Sequence, residues 1–99
     1  MIKAWTLDSL VSSSDGVVAC DLDGDSALLN LDTSTYYKLN SVGTLVWKTI
    51  ESPVSVQALS SVVSSAYDVD AEICARDLDA LLASLLEADL IRISDAHVN

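Results

Sequence analysis

The apolar residues change their spacing near residue 40. Before it they come in short runs broken by turn residues; after it they recur every three or four positions. VVACDL at 17–22, SALLNL at 26–31 and TYYKL at 35–39 are rich in β-branched, aromatic and aliphatic residues. Such residues suit the pleated, half-buried surface of a strand. DGD at 23–25 and DTST at 32–35 separate the runs. Asp-Gly tolerates positive φ, so these are turns, and three strands on short turns predict an antiparallel meander. SSSDG at 12–16 reads as a loop leading into it. Tyr36 and Tyr37 are adjacent in the third strand, so one enters the core and the other faces outward.

The second half predicts three helices. Leu39, Val42, Val46 and Ile50 keep helical spacing, and Asn40 or Ser41 can cap that helix by accepting an orphan backbone N–H. ESP at 51–53 ends it, because Pro53 disfavours helical geometry at Ser52. Ser55 caps a second helix with Val56, Leu59, Val62, Val63 and Ala66 on one side, and Val54 and Leu59 stand at the spacing of a hydrophobic staple. Asp68 or Asp70 opens a third, whose stripe is Cys74, Leu78, Leu81, Leu82 and Leu85. LIRI at 90–93 predicts a short last strand or extended tail, and the final six residues a frayed end. The expected class is α+β: a three-stranded antiparallel sheet followed by three helices.

With 99 residues, half of them apolar, the chain suits one small folded domain. It has no Phe, so the core is expected to be Leu, Val, Ile and Ala, with Trp47 as a core or half-buried anchor.

DLDGDSALLNLD at 21–32 changes this picture if it is a calcium loop. Asp21, Asp23, Asp25 and Asp32 fall at the first, third, fifth and twelfth positions. The EF-hand loop needs Gly at position six and a bidentate Glu at twelve. Here those positions hold Ser26 and Asp32, with the Gly at position four. The flanking segments read as strands, not helices. The expectation is therefore an acidic hairpin tip and no metal.

The formal net charge is −10, from 15 acidic and 5 basic residues. A surface of that sign repels phosphate backbones and anionic lipid, which disfavours nucleic-acid and membrane-surface binding. No signal-peptide run or membrane span is visible, and no CxxC occurs. The reading is a cytosolic protein with two reduced thiols, Cys20 and Cys74, each in an apolar stretch and expected to pack as a small buried hydrophobe. His97, the only histidine, is the third-last residue of the sequence, where a general base is not held in place. There is no GxSxG and no glycine-rich phosphate loop. No catalytic residue and no cofactor is expected.

DGDSALLNLDTSTYYKLNSVGTLVWKTI, followed by SPVSVQAL, AYDVD and DLDALLASLLEADLI, resembles the PqqD-like family over residues 15 to 93. These are RiPP recognition elements, small domains that bind the leader peptides of ribosomally made and later modified peptides. Tyr37, Leu39, Asn40, Gly43 and Trp47 carry the likeness, with Asp77, Leu78, Leu81, Leu82 and Leu85. One departure is Asp89, where the family usually has Gly; Gly would suit an αL residue ending the third helix, and Asp tolerates that conformation less well.

The resemblance implies a winged-helix-like fold and a leader that adds as a strand beside the third strand, packed against the third helix. In this chain the edge is then Thr35, Tyr36, Tyr37, Lys38 and Leu39, and the facing wall Asp77, Leu78, Leu81 and Leu82. An edge strand templates an incoming one through its free N–H and C=O groups. A free-standing chain of this size resembles the leader-binding partner of lasso-peptide pathways, which implies a separate leader peptidase and a cyclase as partners. The alternatives are a peptide chaperone for a radical-SAM enzyme, as in the quinone-cofactor pathway, a winged-helix transcription regulator, or an acidic structural subunit of a larger enzyme. A recognition helix for DNA would carry Arg and Lys; the second helix has neither and the third has only Arg76.

Overall fold

The computed structural model describes residues 5–23, 25–68 and 70–94. Nine elements follow one another: β1 (Leu10–Ser13), β2 (Val17–Leu22), β3 (Asp25–Asn30), β4 (Thr35–Leu39), α1 (Ser41–Thr49), β5 (Val54–Ser55), α2 (Val56–Tyr67), α3 (Ala71–Glu87) and β6 (Ile91–Ser94). The class is α+β, as expected.

The meander forms one sheet in the order β2-β3-β4, antiparallel throughout. Leu22 opposite Asp25 closes a two-residue hairpin, and Asp23 there has φ 47°. Asp tolerates that left-handed geometry in a tight turn. Tyr37 is half-buried while Tyr36 is 64% exposed on the other face.

A second sheet, in the order β5-β1-β6, was not expected. The segment read as a loop at 12–16 instead begins inside a strand: β1 pairs antiparallel with β6, Val11 opposite Ile93, and with β5, Val11 opposite Val54. Val11 is fully buried, whereas Ser12 and Ser13 are half-buried. One buried side chain in a serine-rich stretch leaves no alternating pattern to see. Its partners lie far away along the chain, so nothing local signals them. β6 confirms the strand reading of 90–93; residues 95–99, most of the tail expected to fray and the site of His97, lie outside the described residues.

The helices start where their caps predict. Asn40 accepts from Gly43 N at 3.0 Å, Ser55 from Ala58 N at 3.1 Å, and Asp70 from Glu72 N at 2.9 Å. Each bond satisfies one of the orphan donors of a first turn. Leu59 and Val63 of α2 and Cys74, Leu78, Leu82 and Leu85 of α3 point into one core with Leu28, Leu39, Val46 and Ile50. Val62 and Leu81 are half-buried and Ala66 is exposed. Trp47 packs half-buried against this core. Cys74 is buried as expected, but Cys20 is exposed: β2 is an edge strand and Cys20 lies on its outward face. Both thiols are free.

α3 ends on Asp89, with φ 59°. Leu90 N donates to Leu85 O at 3.0 Å and Asp89 N to Leu86 O at 3.1 Å. This pair of bonds is the Schellman ending, and it places an Asp in the position that Gly fills without steric cost. Asn30 holds the same corner. It is 4% exposed, donates from Nδ2 to Asp89 O at 2.8 Å, and accepts at Oδ1 from Asp32 N at 2.9 Å and Thr33 N at 3.2 Å.

Two outcomes follow for stability. Asp89→Gly is expected to raise the denaturant midpoint, with a gain of about 0.5–1 kcal/mol from relief of the αL residue. Asn30→Ala is expected to lower stability by about 1–3 kcal/mol, because it strands two backbone donors and one carbonyl. Chemical unfolding of both variants beside the parent checks both signs.

Candidate peptide-binding groove

The expected edge exists. Among the described residues β4 pairs only with β3, so its other side is free. The ladder fixes which groups point there. Leu31 N donates to Gly16 O at 2.9 Å, which makes the pair one step beyond Val17 and Asn30 a hydrogen-bonded one. Hydrogen-bonded and non-bonded pairs alternate in an antiparallel ladder. Leu29 and Ala27 therefore bond toward β2, and Asn30, Leu28 and Ser26 toward β4, opposite Thr35, Tyr37 and Leu39. It follows that Tyr36 and Lys38 turn their N–H and C=O groups away from the sheet.

The side chains of β4 divide differently. Leu39 is 1% exposed and belongs to the core, Thr35 and Tyr37 are half-buried, and Tyr36 and Lys38 are exposed on the outer face. Leu39 is also held from behind. A methyl group added at Gly43 would meet Leu39 Cδ2 at 2.8 Å, so α1 packs closely on the Leu39 side chain, which would have to shift to admit a larger residue there. Thr44 Oγ1 donates to Ser26 Oγ at 3.1 Å, a buried bond that fixes α1 to β3.

Where β4 ends, a cavity of about 450 Å³ opens between α1, α2 and α3. Val42, Val63, Cys74, Leu78 and Leu81 give it an apolar lining, and Asn40, Tyr67 and Asp77 supply its polar atoms. Of the expected wall, Asp77, Leu78 and Leu81 come together here. Leu82 does not: it is fully buried one position further round the helix and offers no surface to a ligand. None of Thr35 to Leu39 lines the cavity; the edge leads to it through Asn40.

The contribution of α2 was missed in the sequence. Leu59, Val63 and Tyr67 stand four residues apart, on one helical line. Ending that line on a Tyr, 39% exposed after two buried aliphatics, was the available signal that the stripe runs out into an opening.

Among the described residues no group of three or more His, Cys, Asp or Glu is placed to hold a metal ion. The Asp-rich segment is a hairpin between strands. No described helix is long and apolar enough to cross a membrane.

No curated protein matches the chain. Among solved structures it is similar to one described as TbiB1 in complex with the TbiA(beta) leader peptide, with a TM-score of 0.75 and 28% identity, over 89% of this chain and 99% of that one. The family model of coenzyme PQQ synthesis protein D (PqqD) matches residues 25–91, a span that runs from β3 into β6 and contains both the free edge and the cavity. The chain belongs to the PqqD family.

Proposed function

We propose that this chain binds the leader peptide of a ribosomally made, post-translationally modified peptide precursor, and that it acts by binding rather than by catalysis. The observation that carries the reading is the free β4 edge, with the main-chain groups of Tyr36 and Lys38 turned outward, leading into the apolar cavity. Membership of the PqqD family and similarity to a structure that holds a leader peptide support it.

The leader adds as a strand beside Thr35, Tyr36, Tyr37, Lys38 and Leu39. Main-chain bonds supply affinity that depends little on side chains, and the cavity supplies specificity. Leu81 and Leu78 offer an apolar wall to a side chain of the leader, while Leu39 and Leu82 hold the edge and the helix in place from within. The bound precursor is then presented to a separate leader peptidase and a cyclase in the cytoplasm, as in lasso-peptide pathways. The alternative is a peptide chaperone for a radical-SAM enzyme; the family description names coenzyme PQQ synthesis, but the structural similarity is to a leader-peptide complex and does not favour that alternative. The genes beside this one distinguish the two.

The test is fluorescence titration of the labelled leader of the neighbouring precursor. Lys38→Pro is expected to keep the fold, since its N–H makes no ladder bond, and to weaken binding about tenfold or more, since proline removes that donor and resists strand pairing. Leu81→Ala is expected to cost about 1–2 kcal/mol of binding. Parental affinity in Lys38→Pro would show that the leader does not add at β4.

A further inference from the structure

The cavity is apolar except at its rim, and among the described residues that line it Asp77 is the one with a charge. No described residue gives the Asp77 carboxylate a hydrogen bond or an ion pair. Its helical neighbours three and four positions away are Cys74, Ala80, Ile73 and Leu81, none of them cationic. Arg76 is adjacent in sequence but exposed, and it does not line the cavity. The connection that follows Tyr67 adds two more exposed carboxylates, Asp68 and Asp70.

These features ask for two things of an occupant. The walls formed by Val42, Val63, Leu78 and Leu81 favour a hydrocarbon stem. The rim favours a positive head, because the exposed Asp77 carboxylate attracts a cation and repels an anion. A lysine or arginine side chain has both parts, and places its stem on apolar surface while its head stays at a polar edge. The Tyr67 ring beside the opening suits the same cation.

We propose that the cavity is a selectivity subsite for one lysine or arginine of the bound peptide, with the stem in the apolar walls and the charged head against Asp77. This rests on the leader-binding reading. It adds which leaders are accepted: those with a cation placed to reach the rim when the strand lies on β4. Acidic leaders of equal strand propensity are rejected.

A double-mutant cycle on the full chain tests it. The probe is the synthetic leader of the neighbouring precursor, labelled with fluorescein, in which each lysine is replaced in turn by norleucine and each arginine by citrulline. One replacement is expected to weaken binding to the parent protein about three- to fivefold, the range of an exposed ion pair. The same replacement should leave the affinity of Asp77→Asn unchanged, and Asp77→Glu should keep much of the discrimination. The difference should vanish in 0.5 M salt, where the screening length falls to a few ångströms. Asp77 is exposed, so an unchanged unfolding midpoint is expected for both variants. If the leader binds but no replacement couples to Asp77, or if it binds with no lysine or arginine at all, the subsite is wrong and the groove stands. If the parent protein does not bind the leader, the leader-binding reading falls, and the subsite with it.

Discussion

One buried side chain joins the parts of this molecule that must keep their relative positions. Asn30 stands at the end of β3, just before the turn into β4, and spends both ends of its amide on backbone. Its oxygen shapes the turn that sets the start of the free edge. Its nitrogen grips the last turn of α3, the helix that supplies Asp77, Leu78 and Leu81. A polar group so deeply buried is tolerable only when fully bonded, and full bonding here fixes strand against helix. Ser14 N, which donates to Leu90 O at 3.0 Å, draws the second sheet to the same corner.

Among the described residues the sheet has two free edges, and the surroundings make them unequal. On β2 the outward groups belong to Val17, Ala19 and Asp21, by the alternation that frees Tyr36 and Lys38 on β4. Both edges offer main-chain bonds. Side chains along β2 are nearly all exposed, and among the described residues β2 packs chiefly against β3. The β4 edge leads to the apolar cavity. Main-chain pairing without pockets recognises any extended chain; pairing beside pockets recognises a sequence.

Local chemistry in the sequence announced most of the fold. Asp23-Gly24, Asn40, Ser55 and Asp70 mark turns and caps whose partners lie within three residues, so short windows suffice. β1 was invisible because its pairing reaches across most of the chain and only Val11 is buried in it. Cys20 was misplaced because an apolar run does not say whether its strand is central or at an edge. For the groove, the family pattern named Asp77, Leu78 and Leu81. It also named Leu82, since a stripe read at about 100° per residue does not separate the cavity-facing line of a helix from its core-facing one. Asn40, Val42 and Tyr67 come from three separate segments, and only the fold assembles them.

The alternation along β4 also divides its amide protons into two populations. Those of Thr35, Tyr37 and Leu39 sit inside the ladder; those of Tyr36 and Lys38 meet solvent. In deuterated water the first set is sheltered by the stability of the sheet, whereas the second has only the edge to shelter it. Anything that pairs with this edge gives the second set a shelter it otherwise lacks, whereas the first set gains only what the pairing adds to the stability of the sheet. The strand thus carries its own internal reference, two residue classes interleaved one by one, against which occupancy of the edge is read without a label or a substitution.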